Sequence, residues 1–241
     1  LLRKALDCHA PLEKEKAMSV CANCSIERSK RICSTPDGAG PKGCPTLNLV
    51  EELKNARQKY EDKDINYLAV QSSAQEASCY ANRSDEPGYV LQPTKPRIQE
   101  IWEFAHRMGY KKVGLAFCVG LRKEAKMVAP ILEEHGLEVV SVICKVGRVP
   151  KADIGVPEED RIIKGSHESM CNPIGQAIVM NSLKTELNII LGLCVGHDSL
   201  FIQHSQAPVT VLAAKDRVTG HNPLAAVYTS ESYYMKLHKL Q

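Results

Sequence analysis

Residues 112–144 read KVGLAFCVGLRKEAKMVAPILEEHGLEVVSVIC, and the fold class follows from how that stretch divides. KVGLAFC is a short, nearly continuous apolar run, the pattern of a strand buried on both faces. RKEAKMVAPILEEHG spaces its apolar residues helically and closes on Gly136, a residue type that readily turns a helix end. Pro130 predicts a kink within that helix. LEVVSVIC is again apolar and rich in β-branched residues, which suit a second strand.

The alternation continues on both sides. Toward the C-terminus, GRVPKADIGVPEEDRI (147–162) is an excursion rich in proline and charge. NPIGQAIVMNSLKTE (172–186) follows as a helix with Pro173 near its first turn. LNIILGLC (187–194) reads as a strand, DSLFIQHS (198–205) as a short helix, APVTVLAA (207–214) as a strand and NPLAAVYTSESYYMKLHK (222–239) as a closing helix. Toward the N-terminus, PRIQEIWEFAHRMG (96–109) is a helix ended by Gly109, and INYLAVQSSA (65–74) is a short apolar run read as a buried strand. TLNLVEELKNARQKY (46–60) has helical spacing with Thr46 as N-cap. The pattern predicts an α/β fold, a mostly parallel Rossmann-like sheet with helices on both faces. A small cysteine-rich segment precedes it, placing one unit at 1–45 and the α/β domain at 46–241. No internal repeat or low-complexity tract interrupts it.

Hydrophobic residues make up 44% of the 241 and charged residues 24%, enough for a core without disulfides. The net charge of +3, from 31 basic and 28 acidic residues, is too balanced to argue for nucleic acid or a membrane as partner. No stretch approaches the roughly 20 apolar residues of a membrane span, and the N-terminal residues hold no apolar run of signal-peptide length. The expected location is cytoplasmic. In a reducing compartment, ten cysteines point to metal binding or redox chemistry rather than to disulfides.

Four of them, Cys21, Cys24, Cys33 and Cys44, lie in CANCSIERSKRICSTPDGAGPKGCP, spaced C-x2-C-x8-C-x10-C. A C-x2-C turn folds back so that two thiolates reach one centre, and flexible loops bring the other two. Zinc and iron–sulfur clusters both accept four thiolates, and Pro45 directly after Cys44 leans toward iron–sulfur. The segment has too few apolar residues to order itself, so metal supplies that order. Gly38-Ala39-Gly40-Pro41-Lys42-Gly43 matches the dinucleotide fingerprint in letters only, since no strand precedes it and no helix starts within it.

A second group is dispersed. Cys118, Cys144 and Cys194 each end an expected strand, and Cys171 immediately precedes an expected helix. In an open parallel sheet, strand carboxyl ends and helix N-termini share the edge at which ligands bind. The four thiols are expected to gather there around one metal centre, with Cys79 as a reserve ligand and no role for Cys8. His197 and Asp198 follow Cys194, and Lys215, Asp216, Arg217, His221 and Asn222 follow the last strand on the same edge. His197, Lys215 and Asp216 are the candidates for catalysis, proton relay or tuning of the centre.

The phrases CANC (21–24), GLAFCVGL (114–121), ICKVG (143–147), MCNPIGQA (170–177), GLCVGHDSLF (192–201) and APVTVLAAKDRVTGHNP (207–223) resemble an uncharacterised metal-binding family catalogued as domain of unknown function 1847. The resemblance spans residues 18–230. It implies cysteine-bound metal and a setting typical of anaerobic microbes, and it supports Cys118, Cys144, Cys171 and Cys194 together with the N-terminal pair. It supplies no reaction, and neither Cys8 nor Cys79 falls within it.

The leading expectation is an iron–sulfur protein with two 4Fe-4S clusters, acting in electron transfer or in redox chemistry on a small molecule, with a redox partner protein or that molecule as partner. One alternative is a non-redox metal- or sulfur-binding protein with structural zinc at the N-terminal site. Another is an enzyme using Cys171 or Cys194 as nucleophile and His197 as base. Whether the chain is an oxidoreductase, and its oligomeric state, are left open by the residues.

Overall fold

The computed structural model describes residues 21–81, 83 and 90–238; Cys8 lies outside them. The chain divides into two compact units, the first ending at Val70 and the second beginning at Gln71. The boundary expected between residues 45 and 46 therefore falls inside the first unit.

In the first unit the cysteine loops lead into α1 (Pro45–Asn48) and α2 (Val50–Gln58). Cys44, not Thr46, occupies the N-cap position, because Pro45 takes the first helical place, where its missing N–H costs nothing. The Cys44 carbonyl accepts from the N–H groups of Leu47 and Asn48.

The strand expected at 65–74 is a helix, α3 (Lys63–Ser78), which spans the division between the units. Asp62 starts it, its Oδ1 accepting the N–H groups of Asp64 and Ile65 at 2.9 and 3.1 Å. Helix formers carry it on at Gln71, Ala74, Gln75 and Ala77. The short apolar run Tyr67–Val70 fits either structure, and the length of the segment decides for helix.

The second unit opens with a small antiparallel pair, β1 (Tyr80–Ala81) and β2 (Gln92–Pro93), then α4 (Arg97–Arg107). Its body is β3 (Lys112–Phe117), α5 (Arg122–Glu134), β4 (Glu138–Ile143), α6 (Pro173–Ser182), β5 (Leu187–Leu191), α7 (His197–His204) and β6 (Val209–Ala213). α5 runs through Pro130 to Glu134. Gly109 and Gly136 follow the ends of α4 and α5 with φ of +76° each.

The four long strands form one parallel sheet in the order β4-β3-β5-β6. The path moves one way from β3 to β4 and then returns across β3 to β5. Right-handed crossovers thus put α5 on one face and α6 on the other, and α7 packs with α6. The carboxyl ends of β3 and β5 flank the switch point, where such sheets bind ligands. Leu115, Ile189, Ile190, Met180 and Phe201 are fully buried between sheet and helices. Asn188 is buried too, and it is satisfied: Thr185 Oγ1 donates to its Oδ1 and its Nδ2 donates to Ser205 Oγ, both at 2.7 Å.

The closing helix is shorter than its sequence suggests. α8 covers Leu224–Tyr228, followed by turns and a 3-10 turn at Met235–His238. Thr229 stops it, since its hydroxyl donates back to the Ala225 carbonyl at 2.8 Å within a Thr-Ser-Glu-Ser stretch that favours turns. Among the described residues no helix is long and apolar enough to cross a membrane.

Candidate metal centre

Cys118 follows β3 and Cys144 follows β4, so adjacent strands deliver both to the carboxyl edge. Their backbones are tied together. The Cys144 N–H donates to the Phe117 carbonyl at 2.9 Å, and the Val119 N–H donates to Cys144 Sγ at 3.3 Å. From α6 the buried Gln176 amide donates to the carbonyls of Phe117 and Val142, holding the two strand ends in register. Cys171 arrives by a different route. The Asn172 N–H donates to the Cys144 carbonyl at 2.7 Å, while the Asn172 side chain caps α6 through the Gly175 N–H and donates to the Val146 carbonyl.

The result brings the side chains of Cys118 and Cys171 close enough to Cys144 to act on its thiol. Cys118 and Cys144 are buried and Cys171 is half-buried. The Cys144 hydrogen bond draws the Cys118 thiol down to about 5 against the opposing effect of burial, with further help from the Gly120 N–H and the Lys215 ammonium. The same partner draws Cys171 down to about 6, again against burial, with Lys145 and His197 adding positive charge. Cys144 is pushed upward by these two hydrogen bonds and by burial, and keeps its proton.

Cys194 has a hydrogen-bond partner of its own. Its sulfur accepts a hydrogen bond from Arg217 Nη2 at 3.1 Å, and its carbonyl accepts the N–H groups of His197 and Asp198 at the start of α7. β5 ends at Leu191, and Gly192, with φ of +67°, turns the chain before Cys194 is reached.

The polar candidates separate by role. Lys215 reaches Cys118, and His197 sits close enough to Cys171 to act on its charge. His197 Nδ1 is buried with no hydrogen-bond partner among the described residues. Asp216 is committed to its own loop, its carboxylate accepting the N–H groups of Val218 and Thr219 at 2.9 and 3.0 Å. Cys79 is not brought to this edge. It packs at the end of α3 with its thiol donating to the Gln75 carbonyl at 3.1 Å, and burial pushes its pKa up. Its expected place followed from reading 65–74 as a strand.

Cys21, Cys24, Cys33 and Cys44 line one cavity of about 130 Å3 in the first unit, together with Ile32, Ala39 and Pro41. Arg31 crosses its loops, donating to the Ile26 carbonyl at 2.6 Å. The space is about ten times the ~10–15 Å3 that one water-sized sphere occupies. Four thiolates are a donor set that both zinc and iron–sulfur clusters accept. At the carboxyl edge, Cys118 and Cys171 lie beside the Lys215 and Lys145 side chains. Among the described residues, no set of three or more Cys, His, Asp or Glu side chains forms a ready site for one metal ion.

Gln176, Asn172 and Lys145 were not legible as parts of this site. The one signal was Gln176, a polar residue on an otherwise apolar helix.

Residues 44–212 match the family model described as a protein of unknown function, DUF1847. The uncharacterized protein MJ0455 of Methanocaldococcus jannaschii is 43% identical over 216 residues, covering 90% of this chain and 96% of that relative. Two crystal structures of Dph2 from Pyrococcus horikoshii, one with a 4Fe-4S cluster, share 19% identity with a TM-score of 0.33. The matched part is 61% of this chain and 34% of theirs, so it spans about a third of that protein.

Proposed function

We propose a function for a chain that belongs to the DUF1847 family: it is an iron–sulfur protein whose carboxyl-edge centre does redox work on a small molecule. The observation that carries this reading is the placement of Cys118, Cys144 and Cys171 together at the carboxyl edge, tied by the Val119 N–H to Cys144 Sγ and by the Asn172 N–H to the Cys144 carbonyl. Thiolates are the ligands iron–sulfur clusters use. These three would hold one centre, and Cys21, Cys24, Cys33 and Cys44 would hold another in the first unit. An iron–sulfur group supplies one-electron chemistry and, with three protein ligands, an iron position open to substrate.

The surrounding residues have separate tasks. Lys215 and Lys145 place positive charge beside the sulfurs, which favours a more negative, reduced centre. Gln176 and Asn172 fix the ligand-bearing backbone. His197, with Nδ1 buried and unpartnered, is the group placed to hold or pass a proton. Arg217 donates to the Cys194 sulfur.

One observation favours a second reading. Cys171, drawn to about 6 beside His197, has the setting of a nucleophilic thiolate. Replacement by site separates the two. Under the iron–sulfur reading, Cys144→Ser and Cys24→Ser each remove about half of the iron from anaerobically prepared protein, and each removes a different paramagnetic signal. Unchanged iron in Cys144→Ser, with alkylation confined to Cys171, supports the thiol enzyme instead.

A further inference from the structure

The loop after β6 is closed by one pair of residues. The His221 N–H donates to the Asp216 carbonyl at 2.9 Å, and the Asp216 N–H donates to His221 Nδ1 at 3.2 Å. A backbone N–H can only donate, so Nδ1 is the acceptor and the neutral ring carries its proton on Nε2. The Asp216 carboxylate pins the same turn by accepting from Val218 and Thr219. His221 takes its place with φ of +69°, a conformation that most residues with a side chain avoid. The turn thus depends on a residue that tolerates this backbone and also offers an acceptor at the δ position.

Lys215 leaves the chain at the base of this turn. It is half-buried, and its ammonium lies beside the Cys118 sulfur. Gly120 borders the same space. It sits in the 3-10 turn Val119–Leu121 directly after Cys118, where the Leu121 N–H donates to the Cys118 carbonyl at 2.8 Å. A Cβ at Gly120 would lie 3.2 Å from Lys215 Nζ and 3.9 Å from Cys118 Sγ. The first approach would push the ammonium aside, whereas the second is ordinary contact. Gly120 is not one of the left-handed glycines, so what it supplies is room for Lys215 rather than backbone freedom. β3 and β6 are not neighbours in the sheet, since β5 lies between them, yet their loops meet at this one ammonium.

We propose that His221 and Gly120 are positioning residues for Lys215: His221 fixes the turn from which the side chain leaves, and Gly120 leaves room for its ammonium beside Cys118. The inference deepens the iron–sulfur reading and rests on it for what the charge does. A fixed ammonium at one sulfur favours the more negative, reduced state of the group that Cys118 helps to hold. A lysine released from this position would spread over its many rotamers, and water would screen its charge. The effect is electrostatic, and no bond is made or broken.

The test uses anaerobically prepared full-length protein and four variants. His221→Gly keeps the left-handed backbone and loses the acceptor. His221→Asn keeps both, since Asn tolerates positive φ and its Oδ1 stands where Nδ1 stood. Gly120→Ala crowds the ammonium, and Lys215→Met removes it. Pulse acetylation of Lys215, quantified by peptide mass spectrometry, is expected to run several-fold faster in His221→Gly and Gly120→Ala and at the wild-type rate in His221→Asn. In potentiometric titrations the carboxyl-edge potential should fall in Lys215→Met and fall part of the way in His221→Gly and Gly120→Ala. It should stay at the wild-type value in His221→Asn, and the first-unit potential should not move in any variant. Equal behaviour of His221→Gly and His221→Asn overturns the inference. So does an acetylation rate that neither His221→Gly nor Gly120→Ala changes, or an unmoved potential in Lys215→Met with its iron intact. The acetylation readout needs no iron. Protein that carries none therefore still decides the positioning, while iron and sulfide content on the same samples decide the iron–sulfur reading separately.

Discussion

Arg217 Nη2 donates to the sulfur of Cys194 at 3.1 Å, so that sulfur has a cationic partner of its own. If Cys118, Cys144 and Cys171 alone ligate the carboxyl-edge centre, Cys194→Ser keeps the wild-type iron content whereas Cys118→Ser loses about half of it. Iron and acid-labile sulfide assays on the two variants decide the matter. Equal losses make Cys194 a fourth ligand and leave no open iron position.

Metal at the first site should order the first unit locally. Residues 21–44 contribute few buried apolar side chains, and among its described residues Cys44 is the buried hydrophobic one. Cys21→Ser with Cys24→Ser is expected to expose the chain before Val70 to limited proteolysis and leave 71–238 protected. Loss of protection in the sheet would show that the two units fold as one.

Much of this arrangement was legible in the sequence, for a physical reason. Strands buried on both faces must be apolar throughout, so KVGLAFC, LEVVSVIC and LNIILGLC announce a parallel sheet, and parallel sheets put strand carboxyl ends on one edge. Cys118 and Cys144 directly follow β3 and β4, whereas β5 stops at Leu191, three residues before Cys194, and Gly192 turns the chain; a left-handed glycine inside an apolar run looks like any other strand residue. The segment 65–74 is helical where a strand is expected because a short apolar run carries no period of its own. Asn172 and Gln176 leave little trace, since hydrogen bonds to distant carbonyls have no local pattern.

A pH-dependent prediction concerns the opposite edge of the sheet. The Glu186 carboxylate accepts the N–H groups of Lys111 and Lys112 at 2.7 and 2.9 Å, and these bonds hold its pKa below the ordinary value. A depressed folded-state pKa stabilises the fold above the unfolded value, and that contribution fades as pH falls through the folded one. Glu186→Gln is therefore expected to lose about 1 kcal/mol near pH 7, a figure discounted for partial exposure. The difference should narrow below about pH 4.3, where the unfolded carboxyl takes up its proton. Urea midpoints at several pH values test this, and a gap that widens in acid would reverse the assignment.

The central claim is that thiolates hold iron–sulfur groups at two places in this chain. Iron, zinc and acid-labile sulfide, measured together on protein prepared without oxygen, test it most directly. Two four-iron clusters predict about eight irons and about eight sulfides per chain. About one zinc per chain, with neither iron nor sulfide, would contradict it.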